Sequence, residues 1–272
     1  EQARQKAGRD VGLDEIFKEL AVISSLAPEE VTRLRCLEEE IEFDAVSPRS
    51  DAVSLLFFAV GSGKRVVLAS DMYLPKGVVE SMLVKHHISG WHALYLSSDR
   101  GARKDCGVLY AQILAQEGIA VDQVLVVGDN EHSDWQIPLD MGAKVCHVLR
   151  PVELARSLPR LRPVLESPLH RKDINAQLCL GLIVQKNFGP LYFPHFNPNV
   201  FVSHDPGAIG YSVLGPVVLS FVQWLMAQAM SDDVQRLYFL AREGEFLKKV
   251  YDRWLSLDEL TAGPPSRYLI VS

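Results

Sequence analysis

Gln123-Val124-Leu125-Val126-Val127-Gly128-Asp129-Asn130-Glu131-His132-Ser133-Asp134 is an apolar run that breaks into a polar loop. Residues 123–128 are short, apolar and rich in valine, the pattern of a strand. Asp129 and Asp134 stand on the loop at its end, so both carboxylates can face one pocket. Hard oxygen ligands of this kind suit Mg2+, which accepts one or two carboxylates and keeps water and phosphate in its other positions. The competing reading is an Asx-type helix cap, in which Asp129 or Ser133 only satisfies backbone amides.

The same signature recurs on both sides of this stretch. Residues 65–70, 93–97 and 144–148 read as further strands, with helices predicted over 52–60, 75–87, 104–117 and 133–141. Val78, Val79, Met82 and Leu83 form the inward face of the second helix. Such alternation with short links predicts βαβ units and one parallel sheet with helices on both faces. Ligands of such sheets sit outside the carboxyl ends of the strands. Three of these ends are polar: Ser70-Asp71, Ser97-Ser98-Asp99 and Asp129-Asn130.

Residues 1–48 are helical in character. Asp14 reads as an N-cap ahead of Ile16, Phe17, Leu20 and Ile23, and Pro28-Glu29-Glu30 starts a second helix whose apolar face is Leu34, Leu37, Ile41 and Phe43. Residues 151–205 contain several prolines without a clear period and read as a linker with irregular structure. Residues 208–230 carry no charge and are long enough to cross a bilayer. Gly210, Gly215, Pro216, Gln223 and Gln228 dilute the run, and the flank Ser231-Asp232-Asp233 is acidic. A buried helix is therefore the preferred reading, a membrane-facing helix the alternative. Phe201, Phe221, Trp224 and Leu225 read as core. Residues 237–241, the Arg242-Glu243-Gly244 loop and a helix over 246–254 read as a further α/β unit, and residues 267–272 as a strand. Glu1 begins within a helical run and the last strand has no turn after it, so a longer protein is expected.

The 272 residues carry a net charge of -6 with Lys and Arg scattered, which argues against nucleic acid as the main partner. Cys36, Cys106, Cys146 and Cys179 form no CxxC pair or zinc spacing, and read as reduced thiols of a cytoplasmic protein. Gly61-Ser62-Gly63-Lys64 is not a phosphate-binding P-loop: Phe58 stands where its first glycine belongs and Arg65 follows the lysine. His86-His87 reads as a solvated helix end, and His132 as exposed.

Two further positions suit phosphate chemistry. Ser70 ends a strand, where its hydroxyl and the following amides can hold one phosphate oxygen; the plain alternative is a turn serine. Lys104 opens a helix after the loop over 97–101 and can neutralise phosphate charge, with Arg100 and Arg103 nearby as other anion ligands. The order and spacing of Ser70, Lys104 and the GDNEHSD loop resemble the haloacid-dehalogenase-type (HAD) superfamily, whose motifs II, III and IV are a Ser or Thr after a strand, a Lys at a helix start and an acidic GDxxxxD loop. Ser70-Asp71-Met72-Tyr73-Leu74-Pro75 and Phe239-Leu240-Ala241-Arg242-Glu243-Gly244 are more narrowly similar to the large HAD-like hydrolases found with bacterial surface-polysaccharide and glycosyltransferase genes.

The resemblance implies an α/β fold: a parallel-sheet Rossmannoid core over 51–150, an N-terminal helical cap over 1–50, and a truncated α/β unit over 206–272 after the linker. It implies a Mg2+-dependent phosphatase or phosphotransferase acting through an aspartyl-phosphate on a phosphorylated small molecule such as a sugar phosphate. Ser70, Lys104 and Asp129 would be catalytic, Asp71, Arg100 and Asn130 would join Ser70 and Lys104 on the phosphate or substrate, and Asp129 and Asp134 would hold the metal. The family's motif I, a strand ending in DxDxT or DxxDT that carries the nucleophile, is missing. Phe43-Asp44-Ala45-Val46-Ser47 has one Asp and no preceding strand, so the nucleophile is expected upstream of Glu1 and the chain alone is expected to be inactive. The alternative is a degenerate HAD-like scaffold or binding module beside a glycosyltransferase.

Overall fold

The computed structural model describes residues 1–167, 173–189, 206–257 and 263–270. The chain is a mixed α/β protein whose strands pair in parallel. It divides into two compact units, one of Glu1–Glu153 and one of Leu154–Phe188 with the described residues from Pro206 onward.

The first unit opens with α1 (Gln2–Ala7), α2 (Leu13–Ser24), α3 (Pro28–Ala45) and α4 (Ser50–Gly61). Pro28 sits at the start of α3, where its missing N–H has no intrahelical partner to lose. The N-cap of α2 is Gly12, not Asp14. The Leu13 amide is held by Tyr73 O at 2.8 Å, and Glu15 reaches back to the Gly12 amide, so the chain turns into the helix before Asp14. Leu13, Phe17, Leu74 and Met82 form one core, with Val31, Phe43, Val78 and Val79 against it. Each such buried side chain contributes roughly 1.5–3 kcal/mol. The expected apolar face of α3 is only partly inside: Leu34, Leu37 and Ile41 are exposed. The inward face instead presents Glu38 and Glu42 to the Tyr73 hydroxyl, at 2.9 and 3.0 Å. Burial, and then those two carboxylates, raise the Tyr73 pKa well above the ordinary phenol value.

The Gly61-Ser62-Gly63-Lys64 turn, with Gly63 at φ 69°, leads from α4 to β1 (Val67–Ser70). After α5 (Lys76–Lys85), β2 (Ala93–Leu96) pairs with β1 from Val67↔Ala93 to Ser70↔Leu96. Next come α6 (Ser97–Arg100) and α7 (Val108–Glu117), which packs Leu109 and Ile113 on Tyr95, Val67 and Ala69. β3 (Leu125–Gly128) pairs with β4 (Lys144–His147), and α8 (Ile137–Asp140) lies between them in sequence. Four strands and their parallel sense match the expectation, but the single sheet does not. Among the described residues β1 pairs only with β2 and β3 only with β4, because no strand joins one pair to the other.

The second unit contains α9 (Pro151–Ser157, begun in the first unit), α10 (Arg162–Leu165) and α11 (Ile174–Phe188), where a largely irregular linker was expected. Pro151 and Pro163 fall in first turns, where proline does not break a helix. A helix over Pro206–Ser231 follows, made of α12 (Pro206–Ile209), a π-turn and α13 (Gly215–Ser231). β5 (Leu237–Leu240), α14 (Gly244–Leu255) and β6 (Ser266–Leu269) complete a βαβ unit. Val222, Phe239 and Tyr251 are its core, with Val218, Leu225 and Met226 packed on them.

The apolar helix is not buried as expected. By length and composition it could cross a membrane, and only 6% of its most apolar window is buried. β5 and α14 cover one face, which leaves Val217, Phe221 and Trp224 exposed. Leu225 belongs to the packed face as predicted; Phe221 and Trp224 do not, and Phe201 lies outside the described residues, as do Val271 and Ser272 of the last predicted strand.

Candidate active site

The polar residues at the ends of β1, β2 and β3 are brought together by hydrogen bonds. Ser70 is the last residue of β1 and half-buried. The amide two residues on, Met72 N–H, donates to Ser97 Oγ at 3.0 Å, so the loops after β1 and β2 are tied and that amide already has an acceptor. Ser97 is fully buried, a role its position in sequence did not announce. Gly12 lies against the same corner, its Cβ direction 3.9 Å from Ser98 Cβ and from Tyr73 O.

Lys104 does not open a helix. Gly107, at φ 76°, caps α7 in the left-handed conformation, which separates Lys104 from the first helical residue Val108. The loop gives Lys104 two roles: its amide donates to Asp71 Oδ1 at 3.0 Å, and its Nζ meets Asp134 Oδ1 at 2.6 Å. Asp134 is buried and Lys104 largely covered, with side chains 8% and 13% exposed. Burial raises the Asp71 pKa, opposed by the Lys104 amide and charge.

The GDNEHSD loop forms a π-turn over Glu131–Gln136 that runs into α8 instead of the regular helix predicted over 133–141. Pro138 has no N–H to return to the preceding turn, and the register widens. The cap is Asn130: its Oδ1 accepts from the amides of His132 and Ser133, at 3.0 and 2.9 Å. Asx capping is therefore present, but by neither of the residues considered for it. Asp129 is spared; its backbone carbonyl lies 3.2 Å from His147 Nε2 and its half-buried carboxylate takes no hydrogen bond or ion pair among the described residues.

Asp134 is 6% exposed and well supplied with donors: besides Lys104, Tyr110 OH lies 3.2 Å from Oδ1 and Asn130 N–H lies 3.2 Å from Oδ2. Gly128 accommodates it, since a Cβ there would fall 2.5 Å from Asp134 Cβ. The single Tyr110 hydroxyl proton is shared between Asp134 Oδ1 and Ser133 O, the latter nearer at 2.9 Å. Tyr110 stands on α7, 24 residues before Asp134, so no local pattern links the two. Burial, and then the Asp134 charge, raise its pKa far above the phenol range.

Arg100 and Arg103 have other contacts: the Arg100 guanidinium lies 5.0 Å from the Tyr95 ring centre, and Arg103 pairs with Asp105 at 2.6 Å. His132 is exposed, and His86 meets Val46 O at 3.0 Å. Asp44 lies in the last turn of α3, paired with Lys85, not at a strand end. Among the described residues no group of three or more His, Cys, Asp or Glu side chains could hold a metal ion. Compared with known proteins, the chain matches no protein-family model and no curated protein.

Proposed function

We propose that the first unit is the phosphate- and metal-binding part of a HAD-type phosphotransfer core, acting on a phosphorylated small molecule such as a sugar phosphate. One observation carries this reading: Lys104 spans from Asp71, behind β1, to Asp134, behind β3, at the carboxyl ends where α/β sheets bind ligands. A largely covered lysine with fixed counter-ions is preorganised to stabilise charge on a transferring phosphoryl group. Ser70, beside Asp71, supplies a hydroxyl to the same phosphate. Asp129, whose carboxylate takes no hydrogen bond among the described residues and lies within the field of Arg150, would hold Mg2+, which when bound offsets phosphate charge.

The nucleophile this reading requires is an Asp outside the chain. A parallel strand carrying it would have the free edge of β1 or β3 to pair with, and its carboxyl end would lie beside Lys104. That Asp would attack phosphorus and release the leaving group, and water would then hydrolyse the aspartyl-phosphate.

The second reading is a HAD-like scaffold without turnover. Phosphate release from an aryl phosphate, with and without Mg2+, separates the two when this chain is compared with one extended by its native upstream sequence. Mg2+-dependent release by the extended chain alone is the expected result. No release by either leaves the scaffold reading. Turnover by the present chain that Asp129→Asn abolishes would overturn the external nucleophile.

A further inference from the structure

The geometry points to a second copy of this chain as the cover of the outer face of α3, with the two helices antiparallel. The inner face of α3 sets Val31 and Phe43 on the core and Glu38 and Glu42 on the Tyr73 hydroxyl. The outer face carries Leu34, Leu37 and Ile41, which are 39%, 45% and 55% exposed. Their spacing of three and then four residues puts them in one stripe, the seam along which two helices pack side by side. A contiguous apolar stripe rimmed by charge marks an interaction surface.

The charges beside the stripe select its occupant. Arg33 and Glu40 stand one residue before Leu34 and Ile41, so they flank the stripe on the same side, two helical turns apart. Both are exposed, and neither makes a hydrogen bond or ion pair among the described residues. Their neighbours are engaged: Arg35 is held by Asp14 and Glu39, and Asp44 by Lys85. A partner of uniform charge would satisfy only one of the two. When α3 packs antiparallel on its own copy, the same flank of each helix faces the other. Leu34 of one copy then lies beside Leu37 of the other, Arg33 stands opposite Glu40, and the two-fold axis makes each pairing twice. Sliding the helices by seven residues would set Glu40 against Glu40, so the charges choose the register as well. In a parallel pair Arg33 would face the opposite flank of the partner helix, where Glu38 is already turned inward to Tyr73 at 2.9 Å.

Sedimentation equilibrium of the whole chain tests this, with circular dichroism to check that each variant is folded. The unmodified chain should show a monomer–dimer equilibrium. Arg33→Glu and Glu40→Arg should each weaken it by at least about tenfold, because like charges then meet at both pairings. Mixing the two variants in equal amounts should restore association, since each chain supplies the charges that the other lacks. Leu37→Asn removes an apolar contact on both sides of the axis and should leave the chain monomeric. A chain that stays monomeric up to its solubility limit overturns the proposal and leaves the face to another segment or partner. A dimer that Leu37→Asn leaves intact overturns it too, because the contact then lies elsewhere. Failure of the mixed variants to associate, where the unmodified chain does, overturns the antiparallel pairing.

Discussion

Removing one partner of the Lys104 and Asp134 pair is the most direct probe of this site's energetics. Both side chains are largely buried, at 13% and 8% exposure. Stranding one charge of such a pair costs about 3–5 kcal/mol. The two ends are unequal. Lys104→Met leaves Asp134 with donors from Tyr110 and the Asn130 amide, so its cost should fall near the lower limit. Asp134→Leu leaves a largely covered ammonium with no other hydrogen-bond acceptor among the described residues and leaves Tyr110 OH to Ser133 O alone, so its cost should approach the upper limit. The double variant should be more stable than Asp134→Leu, because the stranded ammonium is gone. Urea unfolding by circular dichroism, with hydrogen exchange over residues 104–110 and 125–136, measures all three. If each single variant costs no more than about 1 kcal/mol, the value of an exposed pair, or if the double variant is the least stable, the argument from burial is wrong.

Gly128→Ala should destabilise the first unit by about 1–3 kcal/mol through overpacking, since the new methyl would meet Asp134 Cβ at 2.5 Å; a neutral result in the same urea assay would show that the loop relaxes freely. Glu117 offers a pH test. The Arg65 guanidinium, then the Tyr95 hydroxyl, hold its carboxyl below the ordinary 4.5. A depressed acid stabilises the fold above its unfolded pKa, and that gain is lost as pH falls through the folded value. Stability measured from neutral to acid pH should therefore separate the unmodified chain from Glu117→Gln at neutral pH and bring the two together once Glu117 is protonated. A constant gap would refute the linkage.

Much of the local structure was legible because short apolar runs flanked by turns are strongly patterned. All four strands of the first unit lie where the sequence indicated, and Val78, Val79 and Met82 pack on the core as predicted. Their assembly into separate pairs was not legible, because sheet membership depends on edges that no local pattern encodes. The helix over Pro206–Ser231 was found but misplaced as buried: apolarity reports a need for cover, and only its Val218, Val222 and Leu225 side is covered. In the site, the GDNEHSD loop was conspicuous, but its cap fell to Asn130 because the chain enters the π-turn one residue after Asp129. Tyr110 was invisible for a different reason: its hydroxyl matters only once α7 has been laid beside the loop.

Lys104 is also a caliper. Its backbone grips Asp71 at 3.0 Å and its ammonium grips Asp134 at 2.6 Å, so one residue touches the ends of both strand pairs. Between those grips stand four methylenes, and their length sets the gap between Asp71 and Asp134. Arginine would keep the charge but carry a longer, planar head. Exchanging the two would reset the opening between Asp71 and Asp134 without altering the charge that spans it.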